Sequence, residues 1–238
     1  MKKLLTTLLP LVIVSTSTLR ADDSTWTGKG NDRLWTTAAN WSDDTLPAPG
    51  DSVTISDGGE ISCAELPHGF LPRKIQLNLK GKTTLANESE TVRFHSNELT
   101  VFPGASINAG TIVFFGAQCT IHDGAKIDVK NWDLRNDGEP NADMVFTFIL
   151  GKTGFSDVKA AVFRAGDFSQ QTYIADMAAY AGGEMTIPLL SYKVIVKKEL
   201  TDDDFKKSTL EVKNPGQFKG SHLRLNTAER CIELVVAK

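Results

Sequence analysis

The chain has 238 residues, 41% hydrophobic and 23% charged, with a formal net charge of −3 and a pI near 5.8. That length and apolar content can build one sizeable packed domain. The mild acidity excludes the basic face that nucleic acid or anionic lipid requires, since Lys197-Lys198 and Lys206-Lys207 are isolated pairs rather than patches.

Met1-Lys2-Lys3 is a basic start, followed by the apolar run "LLTTLLPLVIVSTST" and by "LRA" ending at Ala21. This is the pattern of a secretory signal peptide over 1–21, cut near Ala21. The run is too short and too interrupted for a comfortable membrane span. No later stretch is long and apolar enough to be one. The mature chain of about 217 residues would carry a charge of −6 once Lys2, Lys3 and Arg20 are gone.

Residues 22–55 form a Trp-rich opening, "TWTGKGNDRLWTTAANWSDDTLPAPGDSVTI" from Thr25, which ends in a Pro/Gly turn and a first strand. From there strand signals dominate. "SVTI", "KIQLNL", "TVRF", "LTVF", "TIVFF", "CTIHD", "KIDV", "MVFTFIL", "YKVIV", "TLEV", "LRLN" and "CIELVV" are short, β-branched or aromatic, and bounded by Gly, Pro, Asn or Asp. In "KIQLNL", Ile75, Leu77 and Leu79 share one face of a strand. Helical periodicity is weak. Its best candidates are 157–163, 174–181 (equally readable as a strand with small inward residues) and "TDDDFKK".

Between 56 and 130 a repeat appears. "LTVFPGASIN" from Leu99 overlies "CTIHDGAKID" from Cys119 at an offset of 20 residues, matching Thr100 with Thr120, Gly104 with Gly124, Ala105 with Ala125 and Ile107 with Ile127. Such a period predicts stacked turns of a solenoid, each unable to bury its inward face alone. The glycines would take a left-handed backbone angle and the alanines after them would tuck inward. Residues 131–238 lose the Gly-Ala turns and read as an irregular β region or terminal cap continuing the stack.

With these residues laid out, the opening segment resembles that of exported β-helix proteins with autotransporter-like repeats, of the planctomycete and verrucomicrobial type. The matching positions of the W-x-G…N-W…P-x-x-G-D-x-V-x-I pattern are Trp26, Gly28, Trp35, Asn40, Trp41, Pro47, Gly50, Asp51, Val53 and Ile55. The closing "DMAAYAGGEMTIPLLSY", "TLEV" and "CIELVV" are similar to the ends of such proteins. The resemblance implies an exported all-β protein, a right-handed β-helix or β-solenoid-like stack with a Trp-rich amino-terminal cap, and no particular activity. No sorting tail follows "CIELVVAK", so a secreted, periplasmic or cell-surface residence without such an anchor is the expectation.

No G-x-S-x-G, P-loop, Rossmann or H-E-x-x-H signature is present. His122 beside Asp123 is the most suggestive acid–base adjacency, but neighbours in sequence supply no nucleophile in space. Calcium needs six to eight oxygens around one point. Its weak candidate is the loop carrying Asp137, Glu139 and Asp143. Cys63, Cys119 and Cys231 allow at most one internal disulfide and read mainly as small buried hydrophobes.

Carbohydrate offers the sharpest ligand class. Sugars stack on exposed aromatic faces flanked by hydrogen-bonding groups, and Trp35, Trp41 and Trp132 with Asp32, Arg33 and Asn40 have those side chains. Against this, a stack of strands needs a cover at its end, and a Trp-rich segment suits that purpose. The reading is a secreted, non-enzymatic structural or adhesive protein, with polysaccharide or cell-surface glycan and copies of itself as partners. Two alternatives stand beside it. One is a polysaccharide lyase or hydrolase using Asp123, Lys126, Asp128 and Lys130 aligned with Arg93 and His95. The other is a self-assembling matrix protein.

Overall fold

The computed structural model describes residues 21–134, 143–156, 158–164, 166–196 and 201–238, so the expected signal peptide lies outside it except for Ala21. In chain order the strands are β1 (Asp23–Thr25), β2 (Ser52–Ser56), β3 (Gly59–Ile61), β4 (Gln76–Lys80), β5 (Thr83–Leu85), β6 (Thr91–His95), β7 (Glu98–Val101), β8 (Ser106–Ile107) and β9 (Thr111–Phe115). They continue with β10 (Gln118–His122), β11 (Lys126–Leu134), β12 (Met144–Ile149), β13 (Val158–Arg164), β14 (Gln171–Asp176), β15 (Met185–Ile195), β16 (Thr209–Lys213), β17 (His222–Asn226) and β18 (Cys231–Val236). One helical turn, α1 (Asp202–Phe205), precedes β16.

The protein is all-β and built on two large sheets. The first has eight strands in the order β1-β2-β4-β7-β10-β12-β14-β16, every neighbour parallel. The second runs β17-β18-β15-β13-β11-β8-β5-β3, with β6 and β9 joining it through the far half of β11. Between β2 and β16 the chain visits one sheet, then the other, and returns to lay the next strand beside the previous one. Among the described strands only β18 pairs antiparallel, against β15 and β17, and outside the strands an isolated antiparallel bridge joins Trp26 and Trp41.

The return distance is read from the register. Ser52 lies opposite Gln76, Gln76 opposite Glu98 and Glu98 opposite Gln118, so the circuit shortens from 24 to 22 to 20 residues. The last of these is the offset seen in the sequence: Leu99 pairs Cys119, Thr100 pairs Thr120 and Val101 pairs Ile121. Parallel pairing in register puts like beside like. Val53, Leu77, Leu99, Cys119, Phe146 and Tyr173 form one inward column, all buried. Ile55, Leu79, Val101, Ile121, Phe148 and Ala175 form the next. Gly104 and Gly124 carry φ of 86° and 82°, angles an L side chain rarely adopts, and Ala105 and Ala125 behind them are buried.

The helical expectation at 157–163 is corrected, since residues 158–164 are strand β13, and at 174–181 the strand alternative is the one found over 174–176, the end of β14 (171–176). Each is flanked by in-register parallel partners, and Ala160 and Ala175 point inward. Sheet pairing overrides the helix preference of alanine here. The "TDDDFKK" turn does contain α1, whose Phe205 is fully buried against Phe168 and Tyr173. Strands on both sides of residue 130 share both sheets, with β11 itself spanning it. No helix among the described residues is long and apolar enough to cross a membrane.

Candidate functional site

The Trp-rich segment folds inward. Trp35 and Trp41 are 2% and 1% exposed, with Trp26 at 8%. Trp41 sits edge-on to Trp26 (5.0 Å) and to Trp35 (4.7 Å), and its indole N–H donates to the Trp35 carbonyl at 2.8 Å. All three rings belong to the same continuous core as Val53 and Ile61. The backbone adds to the sheet ends as well. β1 pairs β2, and the Trp35 and Ser62 amides donate to the Ser62 and Arg33 carbonyls at 2.9 Å.

This geometry corrects the sugar-binding expectation. Trp35, Trp41 and Trp132 present no face to solvent, and Trp132, at 0% exposure, lies among Phe114 and Phe146 at 5.1 and 5.8 Å. Asn40 is equally buried. Its side chain donates to Asp32 and to the Leu34 carbonyl and accepts from Gly30, which fixes the loop between Gly30 and Asn40. Asp32 is exposed, yet its carboxylate is taken by Thr37, the Leu34 amide and Asn40, and these bonds hold its pKa below the ordinary value. Arg33 is exposed, with its backbone tied to Ser62. The sequence alone could not separate this buried aromatic cluster, beside a fixed Asn-Asp pair, from a ligand platform.

The metal and catalytic expectations also meet the structure. Asp137 and Glu139 lie outside the described residues, and Asp143 is exposed. Among the described residues no group of three His, Cys, Asp or Glu is placed to hold a metal ion. Asp123 accepts from Ser156 at 3.0 Å in a turn, while the His122 ring faces Phe102. Lys126, Asp128 and Lys130 are exposed along β11, but Arg93 and His95 belong to β6, which reaches β11 only through β9. The proposed alignment of these six groups is therefore not formed. Cys63, Cys119 and Cys231 form no disulfide and are buried, and burial pushes the Cys63 and Cys119 thiols far above their ordinary range.

The outer surface carries the aromatic groups that the tryptophans do not. At the carboxyl ends of β4, β7 and β10 the outward residues Lys80, Phe102 and His122 stand in one column. The Phe102 and His122 rings stack at 4.8 Å with planes 17° apart, and the Lys80 ammonium lies 5.2 Å from the Phe102 centroid. Burial in this stack lowers the pKa of His122, which favours the neutral imidazole. A second cluster forms where β6 and β9 end. Phe115 lies 6.0 Å from Phe70 and 5.7 Å from His95, and the Arg93 guanidinium sits 5.5 Å over Phe70. Phe70 is 37% exposed. The turn that follows is locked by buried Asn97, which accepts from the His95 amide at 2.7 Å and donates to the Pro72 carbonyl at 2.8 Å.

These two aromatic–cation corners can stack a ring face and donate hydrogen bonds beside it. The sequence signal for the first was the 20-residue offset itself, which aligns Phe102 with His122. The second had no signal, because Phe70 precedes the repeat. Compared with protein-family models, curated proteins and solved structures, the chain matches none.

Proposed function

We propose that this chain is an exported β-solenoid of the right-handed β-helix type that binds carbohydrate on its outer surface, in a structural or adhesive role at the cell exterior and without catalysis. The register described above supports the solenoid: circuits of 20 to 24 residues in the first half, and of 27 to 37 residues beyond β10 and β11, lay parallel strands over one another in both sheets. The Trp-rich segment is its amino-terminal cap, and β17 and β18 with α1 close the other end.

The observation that carries the binding proposal is the Phe102–His122 stack with Lys80 beside it. In a core, aromatic rings bring stability. At an outward strand end they bring little, and they leave a flat apolar face rimmed by donors that suits the C–H face of a sugar. The Phe70–Phe115–His95–Arg93 cluster offers the same elements one corner away. A glycan array probed with the wild-type chain, Phe102→Ala and Phe115→Ala tests this. Retention that falls at least tenfold in the variants, with unchanged thermal midpoints, is expected. No retention of any glycan by the wild-type chain would remove the proposal.

A further inference from the structure

A further surface feature lies on the second sheet, on strands that carry neither aromatic corner. Three neighbouring parallel strands, β11, β13 and β15, form a shallow depression of about 390 Å³. It is lined by Asp128, Lys159, Ala161, Ser191, Tyr192 and Lys193 among others. The register explains its shape. Asp128 lies opposite Lys159, and Lys159 opposite Ser191, giving one polar rung across the strands. One step along the strands Ala161 takes the middle position, between Lys130 and Lys193. A methyl group stands there between two long side chains, so the surface sinks.

The polar groups around this depression are not engaged by the fold. Among the described residues the side chains of Asp128, Lys159, Ser191 and Lys193 make no hydrogen bond or ion pair. Lys130 is turned away to Glu88 at 3.6 Å. Arg230 adds positive charge beside Lys193 by donating to its backbone carbonyl at 2.6 Å. The lining therefore has two ammonium groups, one carboxylate, one hydroxyl and an apolar floor at Ala161, with Ala160 and Tyr192 turned inward beneath it.

We infer that this depression binds one anionic sugar residue, its carboxylate or sulfate ester held between Lys159 and Lys193, its ring over Ala161 and its hydroxyls donating to Asp128. Lone lysines seize any anion weakly. The demand for an acid group and an adjacent row of hydroxyls comes from placing two ammonium donors, on β13 and β15, with a single carboxylate acceptor on β11. A simple anion satisfies only the first half, and a neutral sugar only the second. This inference extends the carbohydrate reading to a separate site and a charged ligand class.

The test is an amide NMR titration of the full chain with tri-galacturonate, its methyl ester, galactose 6-sulfate and acetate at one ionic strength. Shifts are expected at 128–130, 159–162 and 191–193 with tri-galacturonate or galactose 6-sulfate, the stronger of the two identifying the acid group. The methyl ester and acetate should bind at least tenfold more weakly. Lys159→Ala and Lys193→Ala should each weaken binding about tenfold, and Ala161→Leu, which fills the floor without changing charge, should do the same. Equal binding of the ester or of acetate, or wild-type binding by all three variants, overturns the inference. Phe102→Ala is titrated alongside. If it loses the acidic sugar while Lys159→Ala keeps it, the groove fails and the aromatic corner stands. If it keeps the acidic sugar, the groove is independent of that corner.

Discussion

Replacing Trp41 by alanine asks whether the opening segment covers or grips. The indole is 1% exposed, contacts Trp26 and Trp35 edge-on at 5.0 and 4.7 Å, and donates a 2.8 Å hydrogen bond to the Trp35 carbonyl. Truncating a buried Trp or Phe costs about 3–5 kcal/mol. Both edge-on pairs and one buried hydrogen bond are lost with the ring, which places this variant in the upper half of that range, about 4–5 kcal/mol. With a urea m-value of about 3 kcal/mol/M, the midpoint should fall by roughly 1.5 M. In a stack where each strand pairs only its neighbours, the loss should concentrate at the near end. Native-state hydrogen exchange should therefore accelerate at β1 and β2 well before β12 and β14. A midpoint shift of under 0.5 M (roughly 1.5 kcal/mol on the same m-value), together with lost glycan retention, would refute the cover and restore the platform.

Other outcomes follow from the same contacts. Glu90 is 6% exposed and accepts from the Ser62 hydroxyl at 2.6 Å, from the Cys63 amide at 2.7 Å and from the Asn87 side chain. Glu90→Gln must turn an NH₂ toward one of these donors and should cost about 1–3 kcal/mol in urea unfolding; a neutral result would mean the site relaxes around it. The three buried thiols should resist an aromatic disulfide reagent in the folded chain and all react in 6 M urea (a condition set to be roughly above the midpoint), and fast labelling of any one before unfolding would contradict its burial. His122 should titrate below its ordinary value of 6.5, because its partial burial against Phe102 disfavours the imidazolium. Between its folded and unfolded pKa values the unfolded chain holds more protons, so this group's contribution to stability is present above about pH 6.5 and declines as pH falls toward the folded pKa. His122→Gln should flatten that decline, and an imidazole NMR titration above 6.5 would reverse the reasoning.

The strands were largely legible because an alternating apolar pattern leaves one face per strand to bury, and "KIQLNL" and "CTIHD" show it plainly. The register of β7 against β10 was legible because a parallel stack sets matching residues side by side, so the 20-residue offset is also the pairing offset. β3 and β5 went unread as strands, and β8 showed only through the match of Ile107 with Ile127. They have two or three residues each, too few for any periodicity, and are held as strands only by their neighbours. β13 hid behind alanines whose small size serves close inward packing rather than helix, and the same alanines left the end of β14 open between helix and strand. The site was read least well. Tryptophan, asparagine and aspartate in one segment describe a sugar platform and an end cover equally, and only burial separates them. Phe115 gave no sign of facing outward, because nothing in a single strand says which way its last residue points.

The most direct test of the account is a titration of cellohexaose and chitohexaose into the chain, followed by carbon-resolved NMR of the phenylalanine and histidine rings. The outer-surface proposal predicts shifts at Phe102, His122, Phe70 or Phe115, with the buried Phe94, Phe146 and tryptophan signals unmoved and the shifts abolished by Phe102→Ala with Phe115→Ala. Absence of any ring shift at millimolar sugar, or shifts confined to the tryptophans, would contradict it.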